Sequence, residues 1–391
     1  MKVLRFWLLP DSGYETPAAL EPRLAAFARV CPGARVEFAV RTAASMWSHL
    51  LRLVKNPDLQ PRPDVVALPS QWTAELARFG LLSDLSKEVP SLDEFHPPLR
   101  EHSSPPGSGG VFSLPWWMET SVLYHREDLL ARAGVRPESF GGAEGLREAC
   151  RRLAKPGRPH PLANPGSRGV ARWRHVAPFV WSRGGEFFSP DGKRTSFGSD
   201  EAFRGMLDYF ELFAERWIPL HGPAGLPTAG LREGTCALEL SSRLFACRSL
   251  RRGAPPVGAS AFPAATLLAA RHLAVLDGCA HPEEAVRLLR FLCGEAAADY
   301  ARDIAALPAR SADLAAALEG AGPCAEAFRT SLAAARTMPN LPLSGTLGRM
   351  LERSLGRMLR TVAAGGFSHD GLKNMLAHAA SEMDTVLSLY A

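Results

Sequence analysis

The side chains able to do chemistry in this sequence form no familiar catalytic pattern. Its eleven histidines include no H-E-x-x-H pair, the spacing that sets two zinc ligands and a glutamate base on one helix face. No G-x-S-x-G elbow is present to lift a serine nucleophile out of a sheet. Cys31, Cys150, Cys236, Cys247, Cys279, Cys293 and Cys324 are odd in number and contain no C-x-x-C pair. Neither a disulfide framework nor a zinc site is therefore expected. The run Ser103–Gly110 is rich in glycine but lacks the lysine and hydroxyl that meet phosphate and magnesium in a P-loop. Glu283 and Glu284 follow Pro282, which suits a helix start better than an acid–base pair. Arg248, Arg251 and Arg252 read as a solvated basic turn, because the net charge is only +5 and no basic block is interleaved with aromatics. Nucleic acid is not an expected partner, and no metal or cofactor is implied.

The elements that must position any site read as alternating strands and helices. Val3–Leu9 is apolar but short, is interrupted by Arg5 and lacks a small-residue cleavage site, so it reads as a buried strand rather than a secretory leader. Leu20, Leu24, Phe27 and Cys31 mark one helical face, and Pro32-Gly33 stops it. Val36, Phe38 and Val40 alternate as a strand, Met46, Leu50 and Leu53 form a second helical stripe, and Val65–Leu68 is a short apolar strand. A helix around Trp72–Phe79 closes at Gly80. This order predicts a mostly parallel sheet with helices on both faces. Further on, Val111–Tyr124 reads as extended chain broken at Pro115, helices are expected over Glu127–Ala133, 200–216 and 282–293, and 346–390 is largely helical. With 391 residues the length suggests two folding units, and no apolar run approaches the ~20 residues of a membrane span.

Several stretches together resemble the family 1 extracellular solute-binding proteins, the maltose-binding-protein-like group. They are Pro61–Ser86 (PRPDVVALPSQWTAELARFGLLSDLS), Phe112–Val135 (FSLPWWMETSVLYHREDLLARAGV), Phe179–Phe213 with its Gly184-Gly185 turn, Glu233–Leu240, His281–Arg310 and Thr337–Leu343 (TMPNLPL). They occur in order over nearly the whole chain. The resemblance implies a two-lobed α/β fold of the type II periplasmic-binding-protein kind, with an interlobe cleft and a hinge. Residues 1–113 and 273–312 would form the N-terminal lobe, and 114–272 and 313–391 the C-terminal lobe.

A sugar site needs flat apolar faces for the ring and carboxylates, amides or guanidinium groups for its hydroxyls. By the resemblance, Trp116 and Trp117 fall where the crossing strand skirts the cleft, either with at least one lining it or packed inward as core, and Glu119 takes the family's acidic contact position. Trp173 and Arg174 fall at the second lobe's aromatic contact, or else on a surface loop. Strand logic adds Gln71 and Trp72 at the carboxyl end of a parallel strand, although Trp72 could equally open the core of its helix. Tyr14 and Glu15 lie in the loop after the first strand. Trp181, beside the Gly184-Gly185 turn, is expected in the core. Where the family places a stacking tryptophan, this chain has Leu240-Ser241-Ser242-Arg243-Leu244. Where a second stacking aromatic is usual it has Leu347-Gly348, and its usual glycine-rich run is Ala269-Ala270-Arg271-His272. Arg243 and Arg271 then supply cations in place of ring platforms, which favours an anionic or smaller ligand.

The expected function is capture of a small sugar-like ligand by a monomer for an ABC permease, without catalysis. The alternative is a cytoplasmic protein that reuses the fold as a sensor or protein partner with an eroded pocket. Lack of a leader and the seven thiols point to the cytoplasm, the other possibility being a periplasmic protein whose leader has been removed. An enzyme would require turnover lost in Glu119→Gln.

Overall fold

The computed structural model describes residues 1–10, 16–155, 159–163, 173–219, 229–244 and 256–389. Among the described residues there are ten strands: β1 (Lys2–Leu8), β2 (Ala34–Val40), β3 (Val65–Pro69), β4 (Leu114–Glu119), β5 (Val122–Arg126), β6 (His160–Ala163), β7 (Cys236–Ser241), β8 (Val257–Ala261), β9 (Ala269–Val275) and β10 (Leu307–Pro308). The chain divides into two compact units. The first comprises Met1–Glu119, Ala269–Glu319 and Asn340–Gly345, and the second Thr120–Leu268, Gly320–Pro339 and Thr346–Ala391. The crossings thus follow 119, 268, 319, 339 and 345, beside the expected positions after 113, 272 and 312.

The first unit holds a six-stranded sheet in the order β10-β4-β9-β3-β1-β2. β1 lies between β3 and β2 and pairs with both in parallel. Its Leu4, Phe6 and Leu8 are fully buried on one face, and Trp7 is buried on the other. A parallel strand covered on both faces needs such a continuous apolar run. The expected, mostly parallel sheet is in fact mixed, because β9 is antiparallel to both β3 and β4, and β10 is antiparallel to β4. The sequence period of the first hundred residues contains no sign of these returning strands, which come from far along the chain.

The second unit has a four-stranded sheet in the order β6-β7-β5-β8, with only β6 and β7 parallel. Its helix Asp200–Ala214 starts at a Ser199 cap, whose side chain accepts from the Ala202 N–H. At Gly205 an added Cβ would come within 2.4 Å of the Val180 backbone. That glycine therefore lets the helix lie hard against the helix Trp173–Ser182.

Local signals set most boundaries. The helix Ala43–Lys55 starts where the Thr42 side chain accepts from the Ser45 N–H, and it buries Met46, Leu50 and Leu53 as its stripe requires. The turn Ser70–Trp72 is 3₁₀ and leads into a short helix Thr73–Arg78. The tail forms two helices, Ser344–Ala363 and His369–Ser388. No helix among the described residues is long and apolar enough to cross a membrane.

One cysteine expectation is corrected. Cys324 is disulfide-bonded, whereas Cys31, Cys150, Cys236, Cys279 and Cys293 are free thiols. Spacing alone misses such a bond because it joins residues with no local motif. Cys247 lies outside the described residues.

Candidate functional site

In the first unit the carboxyl ends of β1, β2, β3 and β4 share one edge of the sheet. Arg271 on β9 lies opposite Pro69, the last residue of β3, and opposite Trp117 on β4, while Ala269 lies opposite Glu119. Strand logic places ligands at such an edge.

A register shift between Pro115 and Trp117 decides where the two tryptophans go. Proline has no N–H for the ladder, and a bulge is where a sheet tolerates it. The extra residue turns Trp116 and Trp117 toward the same face instead of opposite ones. Trp116 is fully buried, stacked on Tyr300 at 4.2 Å and tilted against Phe6 at 6.2 Å. It belongs to the core and offers no ring face to a ligand. Trp117 is also buried, with the Arg271 guanidinium 5.5 Å from its ring centroid. Trp72 likewise takes the core alternative, tilted against Trp47 at 4.7 Å within one apolar cluster. Gln71, Glu119 and Arg271 are half-buried. Tyr14 and Glu15 lie outside the described residues.

Directly behind Arg271, a buried polar chain fixes this edge. Thr73 Oγ1 and Ser113 Oγ are 3.0 Å apart, and Ser113 Oγ lies 2.9 Å from His272 Nδ1. Burial first, and then the neighbouring His102, holds His272 well below the ordinary histidine range, so the ring is neutral.

Another group at this edge was not picked out from the sequence. The Arg41 N–H donates to the carbonyl of Leu8, which ties the end of β2 to the end of β1. The Arg41 guanidinium sits 4.6 Å over the Trp7 ring, whose edge meets the His49 ring at 4.8 Å. The signal was present, since Arg41 immediately follows an alternating strand, the position that singled out Gln71.

In the second unit Trp173 is buried edge-on to Phe187 at 5.9 Å, and Arg174 is half-buried. Trp181, expected in the core, is only half-buried: one side meets Phe187 at 6.2 Å, and Arg336 covers its ring at 4.7 Å. Arg243 follows β7 and is buried, its carbonyl accepting from the Tyr124 hydroxyl at 2.6 Å. Two residues inside the end of β7, Glu239 is fully buried, with Arg243 and Ser241 as its polar neighbours. Burial pushes this acid up to about 8, against the opposing pull of Arg243 and Ser241.

At the first unit's edge Trp72, Trp116 and Trp117 are therefore buried, while Gln71, Glu119 and Arg271 are half-buried. Such groups can bind hydroxyls and anions. Among the described residues no histidine, cysteine and carboxylate group is assembled that could hold a metal ion.

Comparison with known proteins gives this arrangement its context. Over 99% of its length the chain has the fold of the ABC substrate-binding protein Lmo0181 from Listeria monocytogenes in complex with cycloalternan, with a TM-score of 0.81, 16% identity and 100% of that chain covered. Maltose-bound T. maritima MalE3 gives 0.82 at 19% identity, over 99% of this chain and 100% of that one. The GacH receptor of Streptomyces glaucescens, solved unliganded and with acarbose, gives 0.80 at 15%, over 99% and 98%. No curated protein matches the chain. A family model described as bacterial extracellular solute-binding protein matches residues 23–317, about three-quarters of the length, and the chain belongs to that family.

Proposed function

We propose that the protein is an exported solute-binding protein that captures a sugar and delivers it to an ABC-type permease, with no catalytic step. The observation that carries this reading is the cluster of hydroxyl-binding groups at one sheet edge, Gln71, Glu119 and Arg271, on a fold shared with structures named for cycloalternan, maltose and acarbose. Trp117 supports Arg271, with the guanidinium 5.5 Å from its ring centroid; within the second unit, Trp173, Arg174 and Arg243 are proposed as ligand contacts in their own right. Trp72 and Trp116 serve as core.

Export fits the family's extracellular description and displaces the cytoplasmic expectation. The bonded Cys324 supports it, because structural disulfides persist in oxidising compartments. Alkylation of the unfolded, unreduced protein should modify two fewer cysteines than alkylation after reduction; equal numbers would remove that support.

Thermal-shift screening with mono-, di- and acidic sugars tests the main reading. A specific ligand at a hundredfold excess over its Kd should stabilise the folded chain by ~2.7 kcal/mol. Unchanged melting across the whole panel would overturn sugar capture.

A further inference from the structure

We propose that the ligand is an acidic sugar and that Arg41 is the residue that selects its carboxylate; this rests on the sugar-capture reading and narrows it to a substrate class. Arg41 lies at the carboxyl end of β2, beside Leu8, on the edge that also carries Gln71, Glu119 and Arg271. Its guanidinium is set on the Trp7 ring at 4.6 Å, and its Nε is buried with no hydrogen-bond partner. Among the described residues no carboxylate stands within ion-pair distance of it; Asp11 and Glu15 lie outside those residues. Arg52 lies 3.3 Å from His49 Nδ1 through one guanidinium nitrogen, and the charges of both arginines bear on the His49 ring.

A half-buried guanidinium that keeps an unsatisfied N–H and has no counter-charge among the described residues carries a free-energy cost. A carboxylate supplied by a ligand removes that cost through paired N–H···O bonds, for which the planar fork is suited. Stacking on Trp7 holds the fork in place beforehand, so little side-chain entropy is lost on binding. The other groups on this edge serve the uncharged part of such a ligand. Glu119 accepts from sugar hydroxyls and Gln71 can donate or accept, while Arg271 adds a second cation in the position where relatives place a glycine-rich run.

The test is calorimetric titration of the full chain with matched pairs of probes, glucose with glucuronate and galactose with galacturonate, extended to the acidic and neutral members that pass the thermal screen. Wild type is expected to bind the acid of a pair at least tenfold more tightly than its neutral partner. Arg41→Gln should erase that ratio, with the affinity for the acid falling at least tenfold to that of its neutral partner. Arg41→Lys, which retains the charge without the fork, should keep part of it. Unliganded melting of each variant shows whether it is folded. A neutral sugar held as tightly as its acid, or an acid preference that survives Arg41→Gln, overturns the assignment and leaves sugar capture standing. Failure of every sugar, neutral and acidic, overturns sugar capture and this inference together.

Discussion

Two guanidinium groups in this chain lie on indole rings at nearly equal distances, 4.6 Å for Arg41 on Trp7 and 4.7 Å for Arg336 on Trp181. The first belongs to the first unit and the second to the second. Arg336 also offers one nitrogen to both oxygens of Glu186 at 2.9 Å, so its charge is met within the protein. Arg41 has no such carboxylate among the described residues. The stacking geometry is therefore common to both pairs and cannot by itself mark a site; what separates them is that Arg41 has no counter-charge among the described residues. The contrast extends to the interiors. Next to its candidate edge the first unit buries His272 as a neutral base, whereas the second buries Glu239 as an acid pushed up to about 8.

The interior contrast predicts opposite responses to pH, and these are the largest effects expected. Folding raises the Glu239 pKa from the ordinary 4.5 to about 8, so the folded chain keeps a proton that the unfolded chain releases. Stability should then fall as pH rises above about 4.5 and level off above about 8. At ~1.4 kcal/mol per unit, the loss is about 3–5 kcal/mol at most. Denaturant unfolding of Glu239→Gln between pH 5 and 9 should lack this slope; an unchanged slope would place the effect elsewhere. For His272 the sign reverses. Its folded pKa is depressed well below 6.5, so stability is retained above that value and lost as pH falls through it. His272→Asn should flatten the acid limb while leaving the alkaline limb in place.

A smaller effect is expected where the second unit pairs its charges. Asp208, nearly buried on the helix Asp200–Ala214, receives Arg183 at 2.6 and 3.1 Å and Arg147 at 3.3 Å. Removing the carboxylate in Asp208→Ala takes the hydrogen-bonded partner from Arg183, while Arg147 keeps its ion pair with Glu211 at 2.5 Å. Because Arg183 is about one-third exposed, solvent offsets part of the penalty, and a cost of about 2 kcal/mol is expected by chemical denaturation. A change below ~0.5 kcal/mol would mean that the second unit does not depend on internal charge pairing.

Much of this was legible from residue patterns, and the exceptions have physical causes. The stripe Met46, Leu50, Leu53 and the continuous apolar strand at Val65 are local, and they fold as their periods dictate. The mixed sheet was not legible, because β9 reaches β3 from two hundred residues away. Trp116 and Trp117 show a subtler limit. Strict alternation sends neighbours to opposite faces, and only the register shift at Pro115 brings both to one face. Among the candidate-site residues, Gln71 follows from its strand end and Arg271 from the replaced glycine-rich run, whereas Arg41, also at a strand end, lies outside the stretches that carry the resemblance. The bonded state of Cys324 and the burial of Glu239 are products of tertiary packing, and no spacing rule encodes them.

The smallest predicted effect is also the one that separates the two indole pairs most cleanly. Arg336→Gln removes a surface-accessible stack and a half-exposed ion pair, each worth roughly 0.5–1 kcal/mol in such settings. Unfolding should shift by about 1 kcal/mol or less, with Glu186 released to solvent at little further cost. Sugar affinity should not change, because Arg336 is already neutralised by a protein carboxylate and has no unmet demand for a ligand anion. Arg41→Gln should show the reverse pattern, with a similarly small stability change but a loss of preference for the acidic sugar. If Arg336→Gln weakens that preference as much as Arg41→Gln does, counter-charge is not what distinguishes the two arginines. The acid preference would then come from the summed positive field of the chain, and raising the salt concentration from 0.05 to 0.5 M should abolish it equally in both variants.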